Sequence, residues 1–117
     1  MAAVLRPGGR LAIGEVHVAS GVPRTVAGHD LDDLAGLADE FAAAGLELTG
    51  VVGSTVADWD HYESQHWATV LAWAQAHPDH PDRSEVLDRS RYHRDQYLRE
   101  TRGQMGWSIL VGQRSVA

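Results

Sequence analysis

Glu15 and His17 are the first residues along the chain whose types and spacing suit acid–base chemistry. Two apart on an extended strand, they share one face. A carboxylate and an imidazole could then meet at one substrate proton, the histidine as base and the glutamate orienting it. They follow the apolar run Leu11-Ala12-Ile13-Gly14, which puts them at the C-terminal end of a strand, the edge where ligands bind in open α/β sheets. The plainer reading is a pair of solvated surface groups at a strand end.

Asp58-Trp59-Asp60-His61-Tyr62-Glu63, followed by His66-Trp67, is the densest polar and aromatic cluster. On a helix, Trp59, Tyr62, Glu63, His66 and Trp67 recur at three-and-four spacing and share a side. Aromatic walls with a few polar groups line many small-molecule sites, so Trp59, Tyr62, His66 and Trp67 are candidate substrate-binding residues. Packing of the tryptophans on a sheet, with Asp58 and Asp60 serving the helix N-terminus, explains the same pattern.

His77, Asp79, His80 and Asp82 are competent metal ligands by type. Pro78 and Pro81 and a capping role for Asp82 explain the segment better as a turn between helices, so no metal is assigned. Arg83, Arg89, Arg91, Arg94, Arg99 and Arg102 interleave with Asp and Glu, the pattern of a salt-bridged solvent face.

The elements that must position these groups follow from periodicity. Pro7 presets the first corner of a tight turn, Gly8 takes the positive φ of the second, and the apolar strand follows. The unalternating run after it predicts a strand covered on both faces of a mostly parallel sheet. Residues 19–29 read as a loop. Asp30 with Asp33 forms an expected capping box for a helix through Leu31, Leu34, Leu37, Ala38 and Phe41, closed by Ala44-Gly45-Leu46. A strand over residues 46–53 completes a strand-helix-strand unit, which implies parallel strands in one sheet. Thr55 with Asp58 caps a helix that stops at Pro78, Asp82 with Glu85 caps another running to Gly103, and residues 105–112 form the last strand.

The chain has 117 residues, one domain at most, and its 44% hydrophobic and 22% charged residues match a folded protein. A net charge of -6 gives no basis for a phosphate-binding surface, so no nucleic-acid partner is expected. Without cysteine there is no disulfide, thiolate nucleophile or cysteine zinc site. No signal peptide or membrane span is read, so the expectation is a cytoplasmic protein with no membrane partner.

The words Leu5-Arg6-Pro7-Gly8-Gly9-Arg10-Leu11 resemble the turn into the fifth strand of class I S-adenosylmethionine-dependent methyltransferases, usually phrased Leu-Lys/Arg-Pro-Gly-Gly. The element order through Gly106-Trp107-Ser108-Ile109-Leu110-Val111 is similar to the second half of that family. The resemblance implies an α/β fold, a partial Rossmann-like sheet of three strands with the last antiparallel between the other two. It also implies that residues 1–5 end a preceding helix, that residues 55–103 are a helical insertion, and that the chain is the C-terminal half of such an enzyme. The cofactor would be S-adenosylmethionine and the partner a small-molecule methyl acceptor, with Glu15, His17, Trp59, Tyr62, His66 and Trp67 on the acceptor side. The family's glycine-rich turn after its first strand has no counterpart in the chain, so weak cofactor binding by these residues alone is expected. The alternative is a noncatalytic α/β ligand-binding module that self-associates as a homodimer through the open edge of its first strand.

Overall fold

In a computed structural model, residues 4–26 and 29–116 are described. They fall into two compact units, Met1–Ser54 with Gly103–Ala117, and Thr55–Arg102. The expected helical tail at residues 1–5 falls largely outside the described residues.

The first unit is built on a three-stranded sheet of β1 (Arg10–Val18), β4 (Leu46–Gly53) and β5 (Met105–Arg114), in the order β1-β5-β4. β5 runs antiparallel to both neighbours, which leaves β1 and β4 parallel to each other with β5 inserted between them, the arrangement that the resemblance implies. The turn into β1 forms as its residues dictate. Gly9 N–H donates to the Arg6 carbonyl at 2.8 Å, and Gly8 sits at φ +76°, the position where only glycine is unstrained.

Helix α1 (Leu34–Ala43) packs on one sheet face. Leu37 and Phe41 meet Leu46 and Leu110 in the core, with Leu11, Ile13, Leu34 and Leu48 around them. Its N-cap is Asp33, whose Oδ1 accepts the Gly36 N–H at 2.7 Å, a bond that holds the Asp33 carboxyl below the usual range. This corrects the expected start. Asp30 lies in a short antiparallel pairing of β2 (Thr25–Val26) with β3 (His29–Asp30), which begins within the expected loop, and its Oδ1 accepts from the Thr25 hydroxyl at 2.7 Å. A carboxylate committed to that pairing cannot cap a helix that begins four residues later.

β1 also differs from its expected double coverage. Leu11 and Ile13 are half-buried against α1, whereas Ala12, Gly14 and Val16 on the opposite face are exposed. Small residues on that open face produced an apolar run without burial. β5 buries Ser108, Leu110 and Gly112, while Trp107 on the other face remains 40% exposed. In β4, a bulge between Leu48 and Gly50 precedes Val51 and Val52, which are exposed.

The second unit is a helical hairpin of α2 (Val56–Ala76) and α3 (Arg83–Gln96), followed by a π-helical turn over Tyr97–Thr101. The expected capping box forms at α2. Thr55 N–H donates to Asp58 Oδ2 at 2.8 Å, and Asp58 N–H donates to Thr55 Oγ1 at 3.1 Å. Asp82 occupies the N-cap of α3 without a side-chain capping bond; instead its own N–H donates to His80 Nδ1 at 3.1 Å.

A candidate acceptor-side site

His17 and Glu15 share the α1 face of the sheet, opposite Gly106 and Ser108 respectively. The imidazole is buried, with both ring nitrogens engaged: Nδ1 lies 2.9 Å from the Val18 carbonyl and Nε2 2.8 Å from Ser108 Oγ. A carbonyl only accepts, so Nδ1 carries the proton and Nε2 accepts the serine hydroxyl. The orienting role expected of Glu15 therefore falls to Val18 and Ser108. Glu15 is exposed and lines, with Glu40, a cavity of about 170 Å³ between α1 and the sheet, floored by Ile13, Phe41 and Leu110. Asp32, by hydrogen bonding and charge, then desolvation, and last Glu15 hold the Glu40 carboxyl above the usual range.

The His17 ring fits because Gly106 has no side chain. A Cβ there would lie 2.5 Å from His17 Cε1, so Gly106→Ala should displace the ring and cost roughly 1–3 kcal/mol in urea unfolding. Ser108→Ala, which leaves Nε2 buried without a donor, should cost about 1 kcal/mol. Nitrogen NMR should find Nδ1 protonated in the wild-type protein and the resonances displaced in Gly106→Ala; unchanged spectra and unchanged stability in both variants would contradict this geometry.

In the second unit the expected aromatic face of α2 splits. Tyr62 is 57% exposed and meets His66 edge-on at 4.8 Å. Trp59 and Trp67 are half-buried, Trp67 against Tyr97 at 6.1 Å, while Trp59 Nε1 is a buried donor without a partner among the described residues. Spacing correctly grouped these residues on one helix. It could not divide them between an inner line at i, i+4, i+8 (Trp59, Glu63, Trp67) and an outer flank.

A polar cluster that the sequence did not reveal ties α2 to the π turn. Asp60 accepts from Arg102 Nε and Nη2, each at 2.9 Å, and from the Tyr97 hydroxyl at 2.7 Å. The turn closes on Arg102 N–H donating to the Tyr97 carbonyl at 2.8 Å; this five-residue spacing interrupts the helix expected to reach Gly103. Arg102, then Tyr97, lower the Asp60 pKa to about 2. Burial, then the bond to Asp60, push Tyr97 up to about 12. The signs differ. Asp60's contribution to stability is complete above its unfolded pKa and is lost as pH falls through about 2, whereas Tyr97's is complete below pH 10 and is lost as pH rises through about 12. In a Tyr62→Phe/Tyr92→Phe background, phenolate absorbance should rise with a midpoint at about 12, and Asp60→Asn should bring it down towards 10.

His77 and His80 gather around Trp73, with ring centroids at 5.2 and 5.0 Å. His77 Nδ1 donates to the Trp73 carbonyl at 2.8 Å, so these imidazoles build the turn between helices. Among the described residues no group of three or more His, Cys, Asp or Glu is placed to hold a metal, and no helix is long and apolar enough to cross a membrane.

No family model matches the chain. It is 29% identical over 122 residues to the uncharacterized protein YjhP of Escherichia coli, covering 95% of this chain and 48% of that protein. The X-ray structure of YjhP superposes with a TM-score of 0.85 at 26% identity, over 99% of this chain and 50% of that one. An S-adenosylmethionine-dependent methyltransferase from Geobacter sulfurreducens, solved with S-adenosyl-L-homocysteine, matches with a TM-score of 0.81 at 30% identity, over 95% of this chain and 48% of that one. A methyltransferase from Thiobacillus denitrificans, solved with the same ligand, gives 0.80 at 25% identity, over 95% and 48%. The chain thus spans about half the length of the relatives it matches. Over nearly its whole length it is similar to one half of S-adenosylmethionine-dependent methyltransferases, and it shares their Rossmann-like fold.

Proposed function

We propose that this chain is the acceptor-side, C-terminal half of an S-adenosylmethionine-dependent methyltransferase acting on a small molecule. The observation that carries the reading is the sheet itself, with β5 antiparallel between β1 and β4, matched over nearly the whole chain by half of two proteins solved with S-adenosyl-L-homocysteine. Glu15 and His17 at the end of β1, and Trp59, Tyr62, His66 and Trp67 on α2, are the residues this reading assigns to the acceptor side.

The described residues do not fit the cofactor by themselves. Pro7-Gly8-Gly9 leads into a strand, not a helix N-terminus that could receive a carboxylate. At the N-termini of α1 and α2 one amide each is already bonded, Gly36 N–H to Asp33 and Asp58 N–H to Thr55, beside the acidic groups Asp33 and Asp58. In this reading a complementary half holds S-adenosylmethionine. Replacing the matching half of the Geobacter methyltransferase with this chain tests the assignment: a folded chimera that binds S-adenosyl-L-homocysteine supports it, and a folded chimera that does not bind contradicts it.

A second reading, a noncatalytic ligand-binding module that dimerises, is favoured by the first unit's exposed surface. β1 pairs on one side only among the described residues, and Val16, Trp107 and Val52 form an exposed apolar face across the sheet. An open edge beside such a face is a template for a further strand.

A further inference from the structure

We propose that the groove between α2 and α3 binds a small aliphatic carboxylate. The groove measures about 390 Å³, within the roughly 300–1,000 Å³ of small-molecule sites. Its floor is apolar: Leu87 is buried, Trp67 is half-buried and Leu71 remains 48% exposed. A leucine exposed within a concavity is surface that a ligand's hydrocarbon chain would remove from water.

Arg91 and Arg94 line the same groove, three residues apart and therefore neighbours on α3. Guanidinium groups offer planar paired donors that match a carboxylate. Their present partners hold them weakly. Arg91 lies 3.9 Å from Asp88, and Arg94 3.4 Å from Asp95, with every one of these side chains more than 40% exposed. Exposed pairs of this kind contribute about 0–1 kcal/mol, so a carboxylate anchored by a hydrocarbon tail can displace them. The combination of an apolar floor and cationic walls selects an organic anion over a cation or a neutral alcohol. The site lies within residues 55–102 and shares Trp67 with the acceptor-side set, but its binding test does not depend on methyl transfer.

The test is titration of the full chain with decanoate below its micellar range, followed by amide NMR and tryptophan fluorescence. Saturable binding that shifts Trp67, Leu71 and Arg94 is expected. Arg91→Gln/Arg94→Gln should weaken it by about tenfold or more, with a smaller loss for Arg91→Lys/Arg94→Lys. Both pairs alter exposed side chains, and circular dichroism checks that the helices persist. The proposal is overturned if binding does not saturate, if decanol or decylammonium binds equally, or if the glutamine variant binds unchanged. Retention on anionic lipid vesicles without binding of free decanoate would also overturn it, by assigning the arginines to a membrane surface.

Discussion

Leu110→Ala should destabilise the first unit by about 3 kcal/mol, within the roughly 2–5 kcal/mol range for a leucine removed from a packed core. Leu110 is fully buried at the centre of β5. Its cross-strand neighbours are Ile13 and Val51, and Leu37, Phe41 and Leu46 share its cluster. Four buried residues make up that cluster, so the cavity left by truncation removes a large part of what joins α1 to the sheet. Urea unfolding followed by circular dichroism should show the loss, and the peripheral Val51→Ala, at a 42% exposed site, should cost less than half as much. Equal effects at the two sites would mean that the core lies elsewhere.

The isolated chain should self-associate, and Val16→Lys should weaken that association by at least about tenfold, the equivalent of roughly 1.4 kcal/mol. Val16 is 38% exposed and sits opposite Trp107, itself 40% exposed, on the uncovered sheet face beside the open edge of β1. Burying an exposed valine against a second copy gains on the order of 1–2 kcal/mol, whereas a lysine there must keep its ammonium in water. Sedimentation velocity at rising concentration measures both effects. A monomer at every concentration would contradict this account of the face, as would a dimer indifferent to Val16→Lys. In the methyltransferase reading, the complementary half of the domain covers the same surface and suppresses self-association.

The sequence carried most of this architecture in a few local signals. Pro7-Gly8-Gly9 encoded its turn through φ alone, Thr55 and Asp58 encoded a reciprocal cap, and Gly45, found at φ +80°, ended α1. These are short-range devices whose geometry depends on few neighbours. Long-range pairings were less legible. Trp107, Ile109 and Val111 form the more hydrophobic line of β5, yet Ser108, Leu110 and Gly112 are the buried set, because Ser108 donates to His17 and Gly112 admits Phe41. The Asp60–Arg102–Tyr97 cluster joins residues about forty positions apart through a π turn, and helical periodicity has no symbol for an inserted residue. Asp30 and Asp33 both satisfy the rule for a cap, and only the pairing between Thr25 and Asp30 decides between them.

In the methyltransferase reading, this half carries acceptor-side elements while a complementary half holds the cofactor. Isothermal titration of S-adenosylmethionine into the folded 117-residue chain tests it most directly. No saturable heat is expected into the millimolar range, because the described residues contain no glycine-rich turn opening a helix. A one-to-one isotherm with a micromolar Kd would contradict it.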